Sequence, residues 1–168
     1  MIVRFSADDL AAIERLGVLA QTNNARKRNV DLNPFRPSGA AGHADGFRGE
    51  WAVADALGLP RCLDASGTPD DGADLIVPDG PRLNVRYRNR ADGDLMCPAN
   101  RPFHGCDGVV LVVRTDDPAA VRIVGGISVR RFHDIARRHD FTHGPTDYVA
   151  QADLTPWATL AERWSVHA

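Results

Sequence analysis

The sequence predicts an α/β (α+β) chain, a mixed β-sheet with helices packed against it. Three observations predict it. Leu10, Ile13, Leu16 and Leu19 recur at near-helical spacing, Arg82–Arg90 alternates with period two, and Val109–Val113 is a continuous apolar run suited to a strand buried on both faces. The 168 residues amount to one ordinary domain, and no repeat or break in composition divides them. Residues 1–168 are therefore read as a single domain, with an N-terminal helix and long loop or arm over 1–46 and a core over 47–164.

The first helix runs from Ser6, its cap, to about Gln21, with Asp8 and Asp9 well placed in the first turn. Residues 22–46 hold many Asn, Pro and Gly with little periodicity and read as a loop or mobile arm. A second helix is expected from roughly Phe47 to Leu57, closed by Gly58 and Pro60. Ala73–Val77 and Arg82–Arg90, joined by the turn Pro78-Asp79-Gly80-Pro81, suggest a hairpin. After a Gly-, Asp- and Pro-containing stretch to Gly108 come the apolar strand and a further strand over Val121–Ile127. Ser128 caps an expected helix, VRRFHDIARRH, with Val129, Phe132, Ile135 and Ala136 on one stripe. Tyr148-Val149 reads as a short strand, and a last helix is expected near Pro156, carrying Trp157, Leu160 and Trp164.

Composition excludes several classes. With 43% apolar and 25% charged residues the chain is neither disordered nor a coiled coil. No apolar run approaches the ~18 residues of a membrane helix, and the start MIVRFSADDL lacks the features of a signal peptide, so a cytoplasmic protein is expected. Cys62, Cys97 and Cys106 form no CxxC pair, which fits a reducing compartment. The basic residues are 19 Arg and one Lys, and the acids are 19 Asp and three Glu, a bias that G·C-rich codons would give; an isolated Arg therefore says little. With a net charge of −2, any nucleic-acid argument must be local.

Three local features carry chemistry. At 100° per residue, Val53, Ala54 and Leu57 fall within about 60° of Glu50, so its carboxylate leaves the middle of an apolar stripe. Buried there it needs a cation, a metal or donors; the plainer reading is a half-exposed Glu near the start of its helix. Between Arg61 and Asp79 five aspartates (Asp64, Asp70, Asp71, Asp74, Asp79) face one Arg, an oxygen-rich stretch of the kind Mg²⁺ needs. Asp70, Asp71 and Asp79 read better as turn residues, whereas Asp74 opens an apolar strand. On the next strand Leu83, Val85 and Tyr87 face one way, and Arg82, Asn84, Arg86, Arg88 and Arg90 the other. Guanidinium forks match phosphate oxygens, although a solvated sheet face explains the pattern too. The tight turn joins acids to guanidiniums, the layout that phosphodiester hydrolysis requires.

The segments GFRGEWAVADALGLP, DGADLIVPDGPRLNVRYRNR and GVVLVV resemble the core of the PD-(D/E)XK nuclease superfamily, the restriction-endonuclease-like fold. VRIVGGISVRRF and DYVAQADLTPWATL resemble the tail of small members encoded by phages and mobile elements, so the likeness spans roughly 46–160. The resemblance implies a mixed sheet flanked by helices and Mg²⁺- or Mn²⁺-dependent hydrolysis of DNA in a bacterial or phage-infected cell. Glu50 then corresponds to the helical Glu and Asp74 to the metal-binding Asp. Asn84 stands where an acid is usual, and Arg86 where a Lys is usual. Asn84 brings an oxygen without charge, and Arg86 holds phosphate but cannot act as a base. Arg82, Arg86, Arg88 and Arg90, with Arg130 and Arg131 of the later helix, are the expected nucleic-acid contacts. Two readings follow, an active nuclease with a variant site and a nuclease-derived DNA-binding module without catalysis. A third is a protein-binding module, such as an inhibitor, using the fold as a scaffold; a homodimer is compatible with each.

Other motifs have weaker support. Cys97, His104 and Cys106 lack the paired spacing of a zinc knuckle. Glycine-rich nucleotide loops and HExxH are absent. Arg130, Arg131, Arg137 and Arg138 form one basic helix face, read first as a solvated face.

Overall fold

The structure, a computed structural model, describes residues 1–26, 39–65, 72–99, 103–141 and 144–164. The chain runs β1 (Ile2–Arg4), α1 (Ala7–Arg26), α2 (Ala40–Leu57), β2 (Leu75–Ile76), β3 (Arg82–Arg88), β4 (Leu95–Pro98) and β5 (Gly108–Arg114). It continues through β6 (Ala120–Ser128), α3 (Val129–Ile135), β7 (Arg137–Phe141), β8 (Gly144–Val149), β9 (Thr155–Pro156) and α4 (Trp157–Trp164). The architecture is α+β, with helices flanking sheets. The larger sheet has the order β1-β6-β5-β3-β2, with β9 added on β6, and the smaller the order β4-β8-β7. Only β3 and β5 are parallel among the pairs of the larger sheet, which makes it mixed. No helix among the described residues is long and apolar enough to cross a membrane.

α1 begins as its sequence dictates. Ser6 Oγ accepts from the Asp9 amide at 3.1 Å, and the Asp9 carboxylate accepts from the Ser6 amide at 3.0 Å, a reciprocal capping box. The helix continues to Arg26, beyond the expected Gln21, so the expected loop over 22–46 begins inside it. At the other end of that segment α2 starts at Ala40 rather than Phe47. Of the expected arm, only residues 27–38 lie outside the described residues. The reason for the early start is tertiary. A Cβ on Gly17 would stand 2.5 Å from the Ala40 carbonyl oxygen and 2.9 Å from the Ala44 nitrogen, so the two helices touch backbone to backbone. α2 stops at Gly58, which is left-handed at φ 70°, as its glycine predicts.

The hairpin forms as expected, with Leu75 opposite Leu83 and Ile76 opposite Arg82. Asp79, at φ 52°, is a turn residue. Beside it runs β5, whose Val109–Val113 are all fully buried. Val110 and Val112 pack into a core with α1, α2 and α4; Val109, Leu111 and Val113 pack into a second core with Leu95, Cys97, Phe103, Phe132 and Val149.

The Ser128 cap is present, accepting from the Arg131 amide at 3.1 Å. α3 nonetheless ends at Ile135, because Ala136 is extended and Arg137–Phe141 leaves to pair with β8. Arg137 and Arg138 therefore do not share a helix face with Arg130 and Arg131. Arg138 instead sits opposite Asp147 across the ladder and binds it through two hydrogen bonds of 2.7 and 2.9 Å. The strands β1, β4 and β7 have no counterpart in the sequence reading.

Helix propensity alone favours Ala over Gly by about 1 kcal/mol. The backbone contact at Gly17 reverses that sign. Gly17→Ala should lower stability by about 1–3 kcal/mol in urea unfolding; equal or greater stability would show that the helices do not touch there.

Candidate functional site

The segment after α2 is held rigidly. The Leu59 amide donates to the Ala54 carbonyl at 2.9 Å, and Trp51 Nε1 donates to the Cys62 carbonyl at 2.8 Å. Arg61 lies over the Trp51 ring, 4.6 Å from its centroid, forks onto Asp55 at 2.7 and 2.8 Å, and pairs with Asp9. Asn23 Nδ2 donates to the Ala65 carbonyl at 2.7 Å. These contacts fix Cys62 and Asp64 against α2. Burial, the largest cause, pushes the Cys62 thiol pKa up, and the charges of Glu50, Asp64 and Asp74 push it further. Two of the three acids, Glu50 and Asp74, are the pair singled out in the sequence, and both act on one thiol.

Asp74 is placed by main-chain bonds. Its amide donates to the Leu83 carbonyl at 2.9 Å, and its Oδ2 accepts from the Val85 amide at 2.6 Å. Asp74 thus brackets the backbone of Asn84. Asn84 is 8% exposed, the one polar residue in the buried set of described residues. Its Nδ2 donates to the Gly72 carbonyl at 3.2 Å, and Cys106 Sγ reaches the same oxygen at 2.9 Å. Gly72 allows this convergence: it is left-handed at φ 92°, and a Cβ there would stand 2.2 Å from the His104 carbonyl oxygen. Asn84 Oδ1 is buried and has no hydrogen-bond partner among the described residues. A buried acceptor left in that state costs ~1–3 kcal/mol, so the position calls for a donor or a cation.

The fit of Mg²⁺ follows from this donor set. Among the described residues no three His, Cys, Asp or Glu side chains gather as a metal cage, and Cys97, His104 and Cys106 offer zinc none. By chemistry, Glu50 and Asp74 would each bring a carboxylate and Asn84 Oδ1 a neutral hard oxygen. Mg²⁺ commonly binds through one or two carboxylates and keeps several waters, so this set suits it. Asp70 and Asp71 lie outside the described residues.

The guanidiniums of the basic strand have separate fates. Arg82 Nε donates to the Gly105 carbonyl at 2.6 Å. Arg86 lies over Phe103, 5.2 Å from the ring centroid, with Nε buried and without a partner. Arg88 is half-buried, with burial lowering its pKa, and its Nε also lacks a partner. Arg90 lies beyond the end of β3 and forks onto Asp92 at 3.0 and 2.9 Å in solvent. The structure therefore brings Asn84, Arg86 and Arg88 together on one covered face. Arg130 and Arg131 are exposed on α3, whose Phe132 meets Phe103 edge-on at 5.1 Å, so α3 lies on the same side of the sheet as Arg86. The sequence assigns no role to Phe103, gives Gly72 only as part of the segment that carries the resemblance, and offers Cys62 only as an unpaired cysteine.

In comparisons with protein-family models, curated proteins and solved structures, nothing matches the chain.

The shared field at Cys62 is measurable without any activity. Glu50→Gln or Asp74→Asn removes a negative charge that opposes the thiolate, so the Cys62 pKa should fall. Peptide-resolved alkylation at Cys62 should then reach half-maximal rate at lower pH in each variant. An unshifted profile in both would mean that these carboxylates do not converge.

Proposed function

We propose that the chain is a Mg²⁺-dependent, nuclease-like protein acting on DNA phosphodiesters where Glu50, Asp74 and Asn84 meet, in the cytoplasm of a bacterial or phage-infected cell. The observation that carries the reading is Asn84 Oδ1, buried and without a hydrogen-bond partner among the described residues, beside the main-chain-pinned Asp74. The PD-(D/E)XK resemblance supplies the activity class. Glu50 and Asp74 would hold the ion, with Asn84 lending a neutral oxygen. A bound Mg²⁺ supplies a water of lowered pKa and charge stabilisation at the phosphate. Asp74 keeps its geometry because its carboxylate is hydrogen-bonded to Val85. Asn84 adds an oxygen but no charge, so affinity for the ion is weaker than with three carboxylates. A guanidinium is a poor general base, so the role of Arg86 is to hold phosphate in a fixed orientation.

One observation favours the second reading, DNA binding without hydrolysis. Arg86 and Arg88 stand on the same face as Asn84, each with a buried Nε that has no partner among the described residues, and guanidiniums suit phosphate whether or not a metal binds.

Purified protein with Mg²⁺ or Mn²⁺ should nick or cut DNA, and Asp74→Ala should abolish this. Asn84→Asp should tighten the metal, read as a larger Mg²⁺-induced fall in the Cys62 alkylation pKa. Absent cleavage together with DNA binding that weakens about tenfold or more across a few-fold rise in salt would replace hydrolysis with binding. No cleavage, no DNA binding and no Mg²⁺ effect on Cys62 would overturn both.

A further inference from the structure

A second polar cluster lies away from the Asp74 edge. At 100° per residue, Asp45 and Arg48 leave α2 about 140–160° around the helix from Glu50. They meet Tyr87 and Asn89 at the end of β3, Arg114 at the end of β5 and Asp117 in the turn to β6, around a cavity of about 260 Å³. Because β3 and β5 are parallel, this is the crevice beyond the carboxyl ends of a parallel pair, where sheets of this kind commonly receive ligands. Its size, just under the ~300–1,000 Å³ of drug-sized sites, suits a compact molecule.

The cavity has donors in excess. Arg48 Nη1 stands 3.8 Å from Asp45 Oδ1, too far for a hydrogen bond, and Arg48 Nε is buried without a partner among the described residues. Burial raises the Tyr87 hydroxyl pKa, and Arg48 and Arg114 pull it back. Arg114 has no ion pair within bonding reach among the described residues. Asp117 is already engaged, with Oδ2 on Arg4 and Oδ1 on the Ala119 amide at 2.9 Å. Two guanidiniums therefore face one half-buried carboxyl, Asp45, whose pKa is raised first by burial against the opposing charges of Arg48 and Arg114. Such a surplus is the signature of an anion site.

We propose that this cavity binds a small phosphate monoester, with Arg48 and Arg114 gripping its oxygens and Tyr87 and Asn89 completing the donor set. A carboxylate is planar and is satisfied by one guanidinium fork. A phosphate monoester carries up to two charges on three terminal oxygens, which suits donors arriving from α2, β3 and β5 at once. Asp45 remains to accept from a hydroxyl on the rest of the ligand. The cavity shares no residue with the Asp74 edge, and the proposal does not depend on nuclease activity.

Calorimetric titration with glycerol 3-phosphate, and with succinate as the carboxylate control, tests it on the full chain. Glycerol 3-phosphate should bind one-to-one. Arg48→Gln and Arg114→Gln should each weaken it at least about tenfold, the scale of a charged hydrogen bond. Glu14→Gln and Arg163→Gln, both exposed and outside the cavity, should bind as the parent does. Arg114 ends a strand at the surface, so its variant decides the matter if Arg48→Gln does not fold. Three results would overturn the proposal: no binding at millimolar glycerol 3-phosphate, unchanged affinity in a folded Arg114→Gln, or succinate binding as tightly as the phosphate ester.

Discussion

β5 is buried on both faces, and the rest of the molecule is arranged to cover it. Val110 and Val112 require the helices of one layer; Val109, Leu111 and Val113 require a second layer, which the small sheet and α3 provide. That constraint reaches β3, which lies parallel to β5 and shares both layers. Leu83 and Val85 enter the first core, while Asn84, Arg86 and Arg88 project beneath the second. Polar groups at such positions lose water whether or not protein partners replace it, and an unreplaced bond is costly. That Asn84 Oδ1, Arg86 Nε and Arg88 Nε have no partner among the described residues follows from placing a polar strand face beside a strand that must be dry on both sides.

What was legible in the sequence was mainly local. The Ser6 and Ser128 caps, the Gly58 stop, the Asp79 turn and the apolar run of β5 are each set by residues within a few positions of one another, and each is where its pattern puts it. What was not legible depends on distant partners. Residues 40–46 contain Gly42 and Gly46 and resemble a loop, yet they are helical because Gly17 lets α1 lie against them. Residues 137–141 continue the helical register of Ile135 and Ala136, but β8 offers them a ladder that includes the Arg138–Asp147 pair. β1 has three residues and no signal of its own; it exists because β6 presents an edge.

The candidate site divides in the same way. A tight hairpin fixes which residues oppose one another, so the closeness of Asp74 and Asn84 was implicit in the turn and the alternation. The direction of Glu50 could be read from its helix, but not what it meets, since that depends on how Arg61 and Trp51 fasten the following segment. The alternation of Arg82–Arg90 gave the correct pair of faces and left open whether the basic face was wet. The buried run at Val109–Val113 held that information, because a neighbour of a doubly covered strand is itself largely covered.

Position 86 shows what an Arg-biased sequence exchanges at such a site. A lysine is a compact charge on a flexible stem, and burial can lower its pKa into the range where it moves protons. The planar group of Arg86 rests on Phe103 with a buried Nε that has no acceptor among the described residues. Proton transfer is removed and orientation is gained, since a stacked guanidinium has less freedom to lose when an anion arrives. On the proposed reading, any water activation would come from the oxygen side, from Glu50, Asp74 and the ion they would hold. On the proposed reading Asn84 adds an acceptor without charge, so the two carboxylates would carry the whole electrostatic demand of a cation, and neutralising either should affect the site more than any change to the arginines.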